Sequence, residues 1–185
     1  MLQKLQQKLA RQKVQQDILP GFTASAVLIP LYAAKEGVQV LYTLRSARVQ
    51  HHKHQIAFPG GIYEKVDHSL EHTALRETKE ELGLERRDIE IWGPLPVTYT
   101  PTRFFIQPYV AWIKDPAGLN PNEEIAELIP VPLEVLQKMQ AWEMHGNEFF
   151  GSDFALPAFA WQGQRIWGAT GRMSYSLIQL LRGKV

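Results

Sequence analysis

A glycine pair leading into a helix crowded with carboxylates constrains this chain more than any other feature. The run Gly60-Gly61-Ile62-Tyr63-Glu64-Lys65-Val66-Asp67 is followed by Arg76-Glu77-Thr78-Lys79-Glu80-Glu81-Leu82-Gly83-Leu84. At about 100° per residue, Glu77, Glu80 and Glu81 stand at i, i+3 and i+4, so the three carboxylates share a sector of about 100° of one helix face. Like charges so spaced each destabilise a solvated helix by roughly a few tenths of a kcal/mol. Such a cluster is either left as solvated surface or neutralised by a cation. Mg²⁺ favours carboxylate oxygens, water and substrate phosphates, whereas a zinc site calls for cysteine or histidine at ligand spacing. The chain has no cysteine.

Most carboxylate-rich helices present an ordinary charged outer face. The pattern here is more specific, because Gly61, Arg76, Glu77, Glu80, Glu81 and Gly83 are six fixed identities. At about 6% per residue type, a chance match in a chain of this length is on the order of 10⁻⁵.

These residues resemble the Nudix box, which runs glycine, a spacer with an acidic residue, Arg-Glu, an apolar residue, any residue, Glu-Glu, any residue, glycine and an apolar residue. Thr78 stands where the apolar residue is usual, and Leu84 fits. Arg76 lies one residue further from Gly61 than the general box allows. That spacing resembles the coenzyme A pyrophosphatase branch, with Asp67 in the acidic position. Leu41-Tyr42-Thr43-Leu44-Arg45-Ser46, His52 and Gln55-Ile56-Ala57-Phe58-Pro59-Gly60-Gly61 resemble the signature of that branch. So do Glu124-Ile125-Ala126-Glu127 before Val131-Pro132-Leu133, and Ile166-Trp167-Gly168-Ala169-Thr170. The resemblance runs from about Ala24 onward. It departs at Gln50 and His54, where the family has arginine and glycine, and at Thr102-Arg103-Phe104, where the family has Ser-Gly-Phe.

Residues 24–32 and 38–45 read as strands joined by a turn around Gly37, and 89–97 and 104–113 as further strands separated by 98–103. A helix is expected over 133–141, strands over 154–161 and 164–167, and a closing helix over 173–181. Residues 45–55 read as a polar loop. Strands mixed with helices in this order predict an α+β fold, a mixed β-sheet sandwiched between helices, which the resemblance renders as a Nudix-like α/β/α sandwich. At 185 residues one domain is expected, taken as residues 21–185. Residues 1–20 are assigned to an N-terminal amphipathic helix, since Leu2, Leu5 and Leu9 have helical spacing. That helix would pack on the domain or on a second subunit, as in a homodimer.

The net charge of +1 leaves no footprint for nonspecific nucleic-acid binding. No apolar run approaches the roughly 20 residues that span a bilayer. A cysteine-free chain suits a reducing compartment, and the cytoplasm is the expected one.

The resemblance implies hydrolysis of a pyrophosphate bond in a nucleoside diphosphate derivative, with Mg²⁺ or Mn²⁺. Coenzyme A or acyl-coenzyme A is the first expected substrate, giving 3′,5′-ADP and (acyl-)phosphopantetheine. ADP-ribose, dinucleotides or nucleoside triphosphates are the alternative, motivated by Gln50, His54 and Arg103. A non-catalytic nucleotide-sensing domain is the alternative of another class. Glu77, Glu80 and Glu81 would hold the ion, with the backbone of Gly61 as a further ligand. Arg76 would orient the carboxylates through its guanidinium fork. The proton acceptor would be a box glutamate or a distal acid, Glu124 or Glu127, although ordinary solvation explains those two equally well. Arg45, His52, Tyr99, Arg103 and Phe104 are the expected substrate contacts, and Trp167 is expected in the core.

Overall fold

The computed structural model describes residues 1–15, 18–48, 54–138, 140, 142–147 and 151–183. Strand β1 (Thr23–Ala34) and β2 (Gly37–Arg45) form a hairpin whose two-residue turn ends at Gly37, with φ 104°. β1 runs parallel to β7 (Phe104–Ile113) on its other side, which makes the sheet mixed. β5 (Ile89–Pro94) pairs antiparallel with β7, giving the order β3-β2-β1-β7-β5 with β3 (Ile56–Ala57) at the end. Three strands attach beside this path: β4 (Gly60–Ile62) on β1, β6 (Thr98–Tyr99) on β7, and β8 (Ile125–Pro132) on β2. Pro30 falls in β1 between the stretch paired to β4 and the stretch paired to β2, where a missing N–H breaks no ladder on that side.

Alternation along β1 sorts its side chains onto two faces. Ala26 and Leu28 join Ala74 and Leu82 of α2 (Leu70–Leu82) in one core, while Ile29 and Leu31 join the other. That second core is closed by α1 (Leu2–Leu9), α4 (Gly168–Arg182) and a three-stranded sheet of β9 (Trp142–Asn147), β10 (Gly151–Trp161) and β11 (Gln164–Ile166). The fold is thus a mixed sheet with helices on both faces. Leu5 and Leu9 are buried in the same chain, and α1 ends at Leu9 rather than running to residue 20.

Several boundaries differ from the sequence expectation. The helix expected over 133–141 is only α3 (Leu133–Leu136); the Trp142 indole N–H donates to the Leu136 carbonyl at 2.7 Å, and the chain continues as β9. Ala141 and the positions of Gln50, His51 and His52 lie outside the described residues. β8 was not legible because it carries Pro130 and Pro132 between glutamates. Within the described residues it pairs only with β2, and an edge position tolerates proline. Trp167 is 53% exposed rather than buried, because it is the extended residue that starts α4 and its side chain lies outside the core. No helix among the described residues is long and apolar enough to cross a membrane.

Candidate active site

Helix α2 is started by Ser69, whose hydroxyl accepts from the His72 N–H at 3.1 Å, and stopped by Gly83 in the left-handed conformation at φ 72°. Between these caps one flank is buried on the sheet. Thr78 stands in this flank fully buried, and its hydroxyl donates to the Ala74 carbonyl at 2.7 Å, which lets a threonine occupy the usual apolar position.

The adjoining flank carries Arg76, Glu77, Glu80 and Glu81. Arg76 grips Asp67 with both sides of its fork, Nε to Oδ1 at 3.0 Å and Nη2 to Oδ2 at 3.1 Å. It also donates to Glu77 at 2.9 Å, to Glu80 at 3.3 Å and to the Ile62 carbonyl at 3.1 Å. One guanidinium therefore ties the loop after the glycine pair to the carboxylate face. Asp67 has no exposed side-chain surface and further accepts from Thr73 Oγ1 at 2.9 Å and the Glu64 N–H at 3.0 Å, while His72 Nδ1 lies 2.8 Å away. The Arg76 hydrogen bonds, against the cost of burial, hold the Asp67 carboxyl well below the usual range, and Asp67 in turn raises Arg76. Thr73 and His72 were not singled out from sequence. The signal that could have found them is Ser69 as helix start, which puts Asp67 just ahead of the first turn, where side chains one turn on can reach it.

Gly60 and Gly61 carry different requirements. Gly60 has φ 154°, and a Cβ there would strike the backbone of β1 at Ala26 and Val27. A Cβ on Gly61 would collide with the Glu77 carboxylate. The pair thus lets a helix carboxylate lie directly against the backbone of β4. Gly61→Ala should lower turnover by about 10- to 100-fold, since a displacement near 1 Å in a reacting constellation costs on the order of 10²-fold. Steady-state kinetics alongside a melting curve checks this, and wild-type turnover in the variant would contradict the close approach.

The three box glutamates differ in environment. Glu80 is 56% exposed, whereas Glu81 is 5% exposed. Burial, opposed by Arg76, raises the Glu77 carboxyl. Burial pushes Glu81 up to about 7, with Arg45 and the Gly60 N–H opposing that rise and Glu77 and Glu124 adding to it. Arg45 Nη1 lies 3.3 Å from Glu81 Oε1, and the Gly60 N–H donates to Glu81 Oε2 at 3.3 Å. Arg45 Nη2 also reaches Glu124 at 3.6 Å. Among the described residues no three acidic or histidine side chains are already drawn into one ligand group; guanidinium groups stand between the carboxylates instead.

The other expected site residues separate into two groups. Arg45 and Glu124 are brought to the box. Glu127 is not; it pairs in register with Leu44 and is 3.5 Å from Gln164 on the β10–β11 hairpin. Tyr99 is partly buried, edge-on to Phe22 at 5.2 Å and to Phe105 at 5.6 Å, and its hydroxyl accepts from Gln15. With Thr98, Thr100, Pro101 and the start of α4 it lines a shallow recess. Phe104 is half-buried at the start of β7, and Arg103 is exposed in the turn before it. His54 and Arg103, where the resembling family has glycine, both stand at positive φ, 56° and 62°. The backbone is left-handed at both positions despite the side chains, at a cost of roughly 1–2 kcal/mol each. His52 lies outside the described residues.

Comparison with known proteins gives the family. The NUDIX domain model matches residues 22–150. The chain is 38% identical over 166 residues to the human protein named mitochondrial coenzyme A diphosphatase NUDT8, covering 85% of this chain and 69% of that one. The mouse protein of the same name is 36% identical over 184 residues, covering 97% of this chain and 87% of that one. Among solved structures, a MutT/nudix family protein from Enterococcus faecalis superposes with a TM-score of 0.55 at 19% identity, covering 99% of this chain and 69% of that one; this is a likeness of fold. The box on α2, the glycine pair that admits Glu77 and the match over residues 22–150 lead to one conclusion: the chain belongs to the NUDIX domain family, as a pyrophosphohydrolase.

Proposed function

We propose that this enzyme hydrolyses the diphosphate of coenzyme A or acyl-coenzyme A to 3′,5′-ADP and (acyl-)phosphopantetheine, with Mg²⁺ or Mn²⁺ as cofactor. The observation that carries the substrate is the near full-length similarity, 85% and 97% of this chain, to two proteins named as coenzyme A diphosphatases. The donor set fits a hard divalent ion: Glu77, Glu80, Glu81 and the Gly61 carbonyl are all oxygen ligands, and the missing Cβ at Gly61 leaves Glu77 against the backbone. Nudix hydrolases generally use such ions. When bound, the ion shields the phosphates and stabilises the charge that develops on them.

The chain's own residues supply the rest. Arg76 fixes Glu77 and Glu80, and its grip on Asp67 makes that orientation rigid. The Gly60 N–H sets one oxygen of Glu81. Glu81, buried and held at one oxygen by the Gly60 N–H, is the box carboxylate that would accept the proton of the attacking water. We take the compartment to be the cytoplasm, on the ground of the cysteine-free sequence; fractionation against organelle markers tests that.

The deciding experiment is a substrate panel of coenzyme A, acetyl-coenzyme A, ADP-ribose, a diadenosine polyphosphate and a nucleoside triphosphate, each with Mg²⁺ and Mn²⁺, analysed for both product halves. Coenzyme A should show the highest kcat/KM. Equal or better turnover of ADP-ribose would replace the assignment.

A further inference from the structure

Arg45 has a role that its position in the sequence does not disclose. Glu81 is a buried carboxylate at the back of the box, and an uncompensated buried carboxylate is costly. Its counter-charge comes from the end of β2: the Arg45 guanidinium holds Glu81 at 3.3 Å with one nitrogen and Glu124 at 3.6 Å with the other. The two acceptors differ sharply, because Glu81 is 5% exposed and Glu124 is 51% exposed. The backbone under this bridge is fixed. The Ser46 N–H donates to the Glu124 carbonyl at 2.7 Å, the Arg45 N–H donates to the Gln55 carbonyl at 3.0 Å, and Arg45 pairs in register with Ile125. The guanidinium therefore already touches one buried and one solvated partner, so a transfer from the first to the second needs no new contact.

We propose that Arg45 is a positioning residue that serves as the resident counter-ion of Glu81 in the ion-free enzyme and is handed over to Glu124 when a divalent ion takes its place on Glu81. This rests on the metal-dependent reading above, at the same carboxylates. The exchange keeps the buried carboxylate neutralised in both states. It also makes ion binding weaker than the carboxylates alone would give, because the ion must first displace a cation. Held by Glu124, the guanidinium no longer competes with the ion for Glu81.

The test is Mn²⁺ binding to the ion-free protein without substrate, by electron paramagnetic resonance and calorimetry. A cation held 3.3 Å from the ligand oxygen opposes the ion strongly, so Arg45→Gln should bind Mn²⁺ about tenfold more tightly than wild type. A residue that merely shaped Glu81 into a ligand would show the opposite sign. Arg45→Lys, whose single ammonium cannot bridge both acceptors, should fall between the two. Glu124→Gln should weaken Mn²⁺ binding in the wild-type background, because Arg45 then has only Glu81, and much less in the Arg45→Gln background. Unchanged or weaker binding in Arg45→Gln overturns the proposal, as does equal loss from Glu124→Gln in both backgrounds. Failure of the coenzyme A assignment would appear in the substrate panel alone, since Mn²⁺ binding is read without any nucleotide.

Discussion

Glu81→Gln should lower turnover by at least about 10²-fold on every substrate the enzyme accepts, while the protein folds as before. The substitution keeps the shape of the side chain and its place beside the Gly60 N–H, so it opens no cavity. What it removes is the charge that would help hold the ion and the carboxylate that would take the proton. The same change should raise the melting temperature by a few degrees in ion-free buffer at neutral pH. Burial puts the Glu81 carboxyl near 7, above its ordinary 4.5, so the folded state is penalised for ionising it. For a group with a raised folded value, the favourable contribution is fully present below 4.5 and is lost as pH rises through about 7. The stabilisation of Glu81→Gln over wild type should therefore grow across that window and vanish below it. Kinetics with melting curves at pH 4 to 8 tests both halves. Near-wild-type turnover would remove Glu81 from the chemistry, and a gap that does not change with pH would remove burial as the cause.

Arg76→Ala should have the largest effect on stability, about 3–5 kcal/mol, because it strips the main partner from a fully buried carboxylate. Asp67 keeps Thr73, the Glu64 N–H and the half-exposed His72 ring, but loses the two-pronged guanidinium that is its main partner. In wild type the Asp67 carboxyl lies below its ordinary 3.8, so its contribution is present above 3.8 and is lost as pH falls toward the folded value. In the variant the folded value rises, and the stability gap to wild type should narrow on acidification below neutral pH. Denaturant melts at several pH values measure this. A constant gap would mean that the packing of the arginine, and not its charge, holds the loop. Turnover should fall as well, because Glu77 and Glu80 lose the donor that fixes them.

Much of the frame was legible because it depends on local spacing. The alternation in β1, β2 and β7 predicted their places, and β7 matches its expected span of residues 104–113. The box helix was expected from the shared face of Glu77, Glu80 and Glu81, while its caps, Ser69 and Gly83, and its buried flank came from the structure. Where local signals conflicted with tertiary context, the expectation failed. No element was expected over residues 125–132, yet β2 holds β8 there as an edge strand, and Trp167, expected in the core, stands at the exposed start of α4.

The chain's sequence by itself determined that Glu77, Glu80 and Glu81 share a helix face beside a glycine pair, because helical periodicity requires nothing beyond the helix. It could not determine that one of them is buried, one partly buried and one solvated. That difference arises from what the sheet puts opposite each turn: the backbone of Gly61 against Glu77, the Gly60 N–H and Arg45 against Glu81, and open solvent against Glu80. Arg45 and Glu81 are 36 residues apart, and Glu124 reaches them only through the register of β8 on β2. Local spacing sets which charges are neighbours on one element; only long-range pairing sets their burial and their counter-charges, and these decide which carboxylate is costly to ionise.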